Sequence, residues 1–310
     1  MSMKNKNKIL IYGGGGIGSY FAGAFSKNGK DVTLLTRGNH LENIKNYGLK
    51  LETNWGSYVQ NLNLVTNIND NYELTILAVK TYSVKSILND LKNLREGSKV
   101  LCIQNGTFTY NFLSTELSKT GIEVIDGLTW IDAIRREEGG VVQTGNEAKI
   151  IFGKNNLSKS KKIEYSDLAL SLNSENVQVE YSENIGKAVW EKLIMVAAIG
   201  SIMCYSNMNA KKTVENVKYL NILKEMIIEM VNASKSIGID IDKDYSENTL
   251  NYILGRAEDL HSSLKEDFDH KRPLEVDEIL GEALRTGVKN NVDMPNCQVV
   301  YDELIKFARI

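Results

Sequence analysis

The residues best suited to chemistry in this 310-residue chain begin where the apolar run Ile9–Tyr12 ends in Gly13-Gly14-Gly15-Gly16-Ile17-Gly18. The spacing Gly13-x-Gly15-x-x-Gly18 suits a dinucleotide pyrophosphate. The first glycine permits a sharp strand-to-helix turn, the second lets the backbone approach the phosphates, and the third lets helix and strand pack closely. The N–H groups of Gly15, Gly16 and Ile17 then point at an anion from a helix N-terminus. The strand before the loop, the helix Tyr20–Asn28 behind it and the second strand Val32–Leu35 supply the context that makes the pattern specific. Thr36-Arg37-Gly38 follows that second strand with no carboxylate, and Asp31 stands at its opposite end. NAD sites usually place an acid about 20 residues on, to hold the ribose 2′-hydroxyl, whereas an arginine accommodates a 2′-phosphate. Arg37 carries a planar fork suited to phosphate, so the expected cofactor is NADPH/NADP; an ordinary surface arginine is the alternative.

Three further polar residues stand where an α/β sheet would present them to a ligand or where burial would change their chemistry. Lys80 follows the apolar run Leu74–Val79, and Asn105-Gly106 follows Val100–Gln104. Ligands bind outside the carboxyl ends of parallel strands, so both face a cofactor by position. A solvated lysine and a simple Asn-Gly turn are the plainer readings. Lys192 follows Trp190 and precedes the apolar run Leu193–Cys204. It either snorkels outward or is held inward, where desolvation lowers its pKa and fits it for acid catalysis. His40, His261 and His270 show no ligand spacing, so no metal site is expected.

Positioning these residues calls for alternating strands and helices through the first half. Leu74–Val79 and Val100–Gln104 read as buried parallel strands, with a helix over Ser83–Leu94 between them and another strand at Ile122–Ile125. Val141–Gln143 and Lys149–Phe152, separated by a Gly-Asn turn, read as an antiparallel finish, and the Ser/Lys-rich stretch Leu157–Lys162 as an exposed loop. Beyond Tyr181-Ser182-Glu183-Asn184 helical periodicity takes over. Leu220, Leu223, Met226, Ile227, Met230 and Ala233 form one stripe, closed by Gly238. Leu274, Ile279, Leu280, Ala283 and Leu284 form a second, with Pro273 suited to a first turn and Gly287 to a C-cap. The expected fold is an α/β Rossmann-like doubly wound domain over residues 1–182, followed by an all-α domain over 183–310.

Net charge is −2, and 42% of residues are hydrophobic and 25% charged, which is ordinary for a globular protein and points away from nucleic acid. Cys102, Cys204 and Cys297 lie far apart in apolar stretches, as small buried hydrophobes in a reducing compartment do. The polar stretch Met1–Lys8 runs into a strand that breaks into glycine too soon for a signal peptide, and Leu193–Cys204 falls short of the roughly 20 residues of a bilayer span. A cytoplasmic location with no membrane contact is expected, and exposed helical faces in the second half suit a homodimer.

Taken together, Gly13–Gly18, Thr36-Arg37-Gly38 with Leu41 and Gly48, Ala78-Val79-Lys80, Gln104-Asn105-Gly106, Trp190-x-Lys192-Leu193, Ser262-Ser263-Leu264 with Asp267, and Pro273-Leu274-Glu275-Val276-Asp277 resemble the ketopantoate reductase (2-dehydropantoate 2-reductase) family, over essentially the whole length. The resemblance implies NADPH-dependent reduction of a 2-oxo acid in a cleft between two domains: 2-dehydropantoate to pantoate, on the route to pantothenate and coenzyme A. By the same resemblance Lys192 is the proton donor, Glu275 its acidic partner and a binder of a substrate hydroxyl, and Ser263 a substrate contact. Asn105 positions lysine and substrate, and Lys80 lies at the entrance for cofactor and substrate. Read without it, Glu275 is an acid in a helix first turn and Ser262-Ser263 an N-cap or turn. The chain departs from the family where asparagines are expected one and two helical turns after the lysine. It carries Val196 and Gly200 there, leaving faces expected to be apolar or empty, which weakens recognition of a hydroxylated acid. Three alternatives follow: a paralogue acting on a less polar 2-oxo acid, an opine-type or 6-phosphogluconate-type dehydrogenase, and a non-catalytic NADP-binding sensor. The ordered lysine, serine and glutamate blocks argue against the dehydrogenase.

Overall fold

A computed structural model describes residues 8–136 and 139–308, so the polar amino-terminal stretch, Lys8 apart, lies outside the described residues. The strands are β1 (Ile9–Tyr12), β2 (Val32–Leu35), β3 (Leu49–Thr53), β4 (Gly56–Gln60), β5 (Asn63–Val65), β6 (Leu74–Leu77), β7 (Lys99–Cys102), β8 (Glu123–Arg135), β9 (Gly140–Gly153) and β10 (Gln178–Ser182). The helices are α1 (Gly16–Lys27), α2 (Gly38–Tyr47), α3 (Leu88–Lys92), α4 (Phe108–Glu116), α5 (Lys159–Leu172), α6 (Ile185–Ser206), α7 (Ala210–Glu215), α8 (Val217–Ser236), α9 (Tyr245–Gly255), α10 (Ser263–Asp269), α11 (Glu282–Lys289) and α12 (Pro295–Leu304).

The chain divides into two compact units. One comprises residues through Gln104 and Thr109–Ile185; the other comprises Asn105–Phe108 and the chain from Gly186 onward. The first unit is a Rossmann-like mixed sheet with alternating helices. Its strand order is β4-β3-β9-β8-β7-β6-β1-β2-β5, with β10 paired to β9. From β8 to β5 every neighbour is parallel. β6 and β2 flank β1 on opposite sides, so the strand order reverses at β1 and opens the ligand crevice of a doubly wound sheet at its carboxyl end. β1 and β6 are buried at every residue, as strands covered on both faces must be.

Several elements depart from expectation. α1 begins at Gly16 rather than Tyr20, because the loop glycines themselves form its first turn. Val141–Gln143 and Lys149–Phe152 belong to one 14-residue strand with no turn between them. The pairing with β8, itself 13 residues long, shifts between Ile131 and Ala133: Asp132 alone stands opposite Thr144, Gly145, Asn146 and Glu147, so Gly145-Asn146 forms a wide bulge of β9 rather than a turn between two strands. Within Leu157–Lys162 the expected loop gives way to α5, started at Lys159 by the Ser158 hydroxyl, which accepts from the Lys161 amide. The helix expected over Ser83–Leu94 is a 3₁₀ segment, Thr81–Ile87, followed by α3. β6 and β7 end at Leu77 and Cys102, so Lys80 and Asn105 stand beyond the strand ends in the following turns.

The second unit is helical. α6 is longer than its apolar run suggests: at 22 residues it is long and apolar enough to cross a bilayer, yet 67% of its most apolar window is buried inside the protein. Leu193, Ile194, Ala197, Ala198 and Ile202 of α6 pack with Leu223, Met226 and Met230 of α8 and with Leu280 and Ala283 further on. Gly238 follows α8 with φ +81°, as a helix-ending glycine does. Gly287, by contrast, lies inside α11. A Cβ there would stand 2.2 Å from the Met294 sulfur, so that glycine serves close packing rather than a cap. Pro273 precedes the helical residues, which begin at Val276 and continue as a π-helical turn, Asp277–Gly281.

Candidate functional site

The glycine loop leaves β1 at the point where the strand order reverses. Gly13 has φ +120°, and its N–H donates to the Leu35 carbonyl at 3.1 Å, holding the loop to the end of β2. A Cβ at Gly13 would meet the Ala78 backbone at 2.9 Å, and one at Gly18 would lie 1.9 Å from the Gly13 carbonyl oxygen. These two glycines therefore serve the close approach of strand, loop and helix. Gly15 differs: its φ of −74° is ordinary, it is exposed, and nothing lies nearer than 4.0 Å to the place of its absent Cβ. The space beside it is open, and the first turn of α1, Gly16-Ile17-Gly18, directs amide N–H groups and the positive end of the helix dipole toward it. An open cradle that a Cβ would fill fits the diphosphate of a dinucleotide.

The same loop rests on buried polar groups that periodicity could not show. His40, 5% exposed, pairs through Nε2 with the Ser19 hydroxyl at 2.9 Å, behind the first turn of α1. Burial, with the nearby Arg135 charge, pushes its pKa down to about 4, so the ring is neutral at pH 7. Arg37 stands at the N-cap of α2, just past β2, with its side chain largely exposed. Its Nη2 lies 3.8 Å from the Asp90 carboxylate, which also accepts from the Tyr12 hydroxyl at 2.5 Å. Sequence spacing misses Asp90, because α3 brings it to the end of β2 from the far side of β1. Lys80, half-buried, begins the 3₁₀ segment after β6.

In the helical unit, Lys192 and Glu275 are each only 8% exposed, although both belong to residue types rarely buried without a partner or purpose. Lys192 sits on α6 between Trp190 and Leu193, both in the core. Glu275 precedes the first helical residue, Val276, and its carbonyl accepts from the Ile279 amide at 3.1 Å. The turn that follows is braced by Asp277, which accepts from the Tyr301 hydroxyl at 2.6 Å and the Arg285 guanidinium at 2.8 Å. Asn105 and Gly106 group with this unit rather than with the sheet. Gly106 has φ +84°, and a Cβ there would stand 3.2 Å from the Glu278 carbonyl oxygen and 3.7 Å from Leu193 Cδ1. The Asn105-Gly106 loop is thereby held beside the neighbour of Lys192 and the turn after Glu275.

Ser262 caps α10, accepting from the Lys265 amide, and Ser263 opens that helix with its side chain exposed. The Ser262 Oγ also lies 2.8 Å from the place of a Cβ on Gly200, with Leu264 Cβ at 3.4 Å. The face of Gly200 is therefore filled rather than empty, and a side chain there would push aside the Ser262 hydroxyl that caps α10. Val196 is half-buried one turn after Lys192. Among the described residues no group of three or more His, Cys, Asp or Glu side chains is arranged to hold a metal ion, and Cys102, Cys204 and Cys297 are free and buried.

Two family models match the chain: one described as ketopantoate reductase PanE/ApbA, over residues 9–156, and one described as the C-terminal part of the same enzyme, over residues 184–308. The chain is 29% identical over 293 residues to a 2-dehydropantoate 2-reductase of Pyrococcus abyssi, covering 93% of each protein. It is similar in fold to the PanE/ApbA family ketopantoate reductase of Ralstonia eutropha JMP134, with TM-score 0.87, 21% identity and coverage of 97% of this chain and 98% of that one. It is also similar in fold to D-mandelate dehydrogenase, solved as a ternary structure with NADH and anilino(oxo)acetate, with TM-score 0.83, 20% identity and coverage of 97% and 98%.

Two outcomes follow from the loop. Gly15 is the N-cap of α1, so replacing it with valine should cost about 1 kcal/mol of stability and leave the fold intact. The same change should weaken nicotinamide dinucleotide binding by about tenfold or more, as read by calorimetry; unchanged binding would remove the dinucleotide from this loop. For His40, the unfolded chain takes up a proton as pH falls through about 6.5, whereas the folded chain does so only near 4. Stability held at pH 7 is therefore lost between those values, by about 3 kcal/mol. Urea midpoints of the wild type should fall further between pH 7.5 and 4.5 than those of His40→Gln; parallel curves would refute this.

Proposed function

The chain belongs to the ketopantoate reductase family, an oxidoreductase family, and from that premise we propose that it reduces the keto group of a 2-oxo acid to a hydroxyl with NADPH. The observation that carries this reading is the burial of Lys192, a cation held on an apolar core helix in the same unit as buried Glu275 and the Asn105-Gly106 loop. A reduced nicotinamide, when bound, supplies the hydride. The work of this chain is to receive the negative charge that develops on the carbonyl oxygen. Lys192 Nζ stabilises that charge and donates the proton, a role that preorganised burial strengthens because no solvent must reorganise. Glu275 binds a substrate hydroxyl and keeps the ammonium oriented. Asn105 fixes the relation of lysine to substrate through its amide, and Ser263 at the start of α10 contacts the acid. Gly13, Gly15, Gly16, Ile17 and Gly18 hold the diphosphate, Arg37 the 2′-phosphate, and Lys80 the approach of substrate and cofactor.

The substrate we propose first is 2-dehydropantoate, on the strength of the similarity to the Pyrococcus abyssi reductase. A less polar 2-oxo acid is the second reading. It is favoured by Val196 and by the filled face of Gly200, which put aliphatic and already bonded atoms where an amide would address a substrate hydroxyl. A site without that amide discriminates weakly against substrates lacking the hydroxyl.

Lys192→Ala should lower kcat by about two to four orders of magnitude, as loss of a general acid does. It should leave NADPH binding within about twofold of wild type. Stopped-flow turnover and fluorescence titration check the two halves, and an undiminished kcat would overturn the assignment. Steady-state assays with 2-dehydropantoate and a panel of branched and aromatic 2-oxo acids decide between substrates. The first reading expects the highest kcat/KM on 2-dehydropantoate, and the second expects it on an apolar acid.

A further inference from the structure

At the carboxyl end of β1, side chains from two elements meet on one carboxylate oxygen of a third. Tyr12, the last residue of β1 and 2% exposed, donates to Asp90 Oδ2 at 2.5 Å, and Arg37 Nη2 lies 3.8 Å from the same atom. Asp90 comes from α3, on the crossover that leaves β6, while Arg37 follows β2 on the other side of β1. We propose that Asp90 sets how strongly this protein distinguishes a 2′-phosphate from a 2′-hydroxyl on an adenosine ribose, by competing with the phosphate for the Arg37 guanidinium. The inference rests on the reading of the glycine loop and Arg37 as the adenosine side of a nicotinamide cofactor site.

Tyr12 is locked in the sheet, and burial together with the neighbouring carboxylate raises its phenol pKa, so it remains a donor and holds Asp90 in place. Arg37 is the mobile partner, at the end of a long and largely exposed side chain. A 2′-phosphate can recruit that guanidinium only by drawing it from Asp90, and the dianion then stands close to a fixed carboxylate of like sign. A 2′-hydroxyl meets the opposite situation, because Asp90 offers it an acceptor and Arg37 need not move. Dinucleotide folds usually keep this acidic residue at the end of the second strand. Here an arginine, Arg37, follows the second strand, and the acid arrives from another crossover. The cation and the anion that would otherwise define opposite preferences thus share one corner, and each tempers the other.

The test uses dissociation constants of the full-length protein for NADPH and NADH, with adenosine 2′,5′-bisphosphate and ADP as probes independent of turnover. Asp90→Asn should tighten NADPH and adenosine 2′,5′-bisphosphate by about fivefold, the scale of one partly exposed charge pair, and should leave NADH and ADP equal or weaker. Tyr12→Phe, which keeps the strand filled but frees the carboxylate, should shift the same ratio in the same direction by less. The difference between wild type and Asp90→Asn should shrink in high salt, as an effect between exposed charges must. A ratio unchanged in Asp90→Asn, while Arg37→Met loses its NADPH preference, overturns the role of Asp90 and leaves the cofactor reading standing. Failure of wild type to bind any of the four nucleotides overturns both.

Discussion

The close approach of two backbone segments at Gly13 and Gly18 is the constraint on which the sheet unit depends. No side chain fits between the first turn of α1 and the end of β1, since a methyl at Gly18 would overlap the Gly13 carbonyl. That contact sets the helix directly over the strand and its N-terminus toward the place where the strand order reverses. The packing also fixes Ser19 on the inner side of α1, where it pairs with buried His40 from α2, so one polar bond ties the loop to the next crossover. Gly15 alone among these positions is spared the crowding, and its openness separates a ligand requirement from a folding one.

The helical unit solves a different problem, that of keeping charged groups inside an apolar core. α6 is apolar enough to be costly in water, and α8 and the segments after Leu274 cover it. Lys192 and Glu275 are carried into that interior, and the desolvation involved would be prohibitive for either one without compensating interactions. The π-helical turn after Glu275 is braced by Asp277, Arg285 and Tyr301, so the backbone departs from regular α-helix beside a functional residue and is held there by charge-assisted bonds. Gly106 has its own steric reason for being small, since Glu278 and Leu193 border the place of its absent side chain.

Local pattern made much of this legible. Four-residue apolar runs bounded by turns marked β1, β2, β6 and β7, because a strand buried on both faces has no alternation to hide. The stripe from Leu220 to Ala233 marked α8 for a parallel reason. The strands β4 and β5 were not legible, since their short, half-exposed residues carry neither a clear run nor a clear alternation; β3 does alternate, Leu49 and Leu51 inward and Lys50 and Glu52 outward, but over too few residues to stand out from the helix end before it. Gly145-Asn146 reads locally as a turn between two strands; in the fold it is a bulge within β9, and the pairing with β8 resumes on either side of it.

What the sequence determined by itself was chemistry tied to short spacing: the glycine loop, the arginine after β2, and a lysine and a glutamate each embedded in apolar surroundings. Side-chain type and near-neighbour geometry carry that information along the chain. Only the tertiary structure decided that Asp90 stands beside Arg37, that Ser262 fills the face of Gly200, and that Asn105 and Gly106 pack with helices rather than with the sheet they follow. Each joins residues far apart in the chain, and such contacts come from how crossovers return across the sheet and how helices close on one another, which no local periodicity encodes.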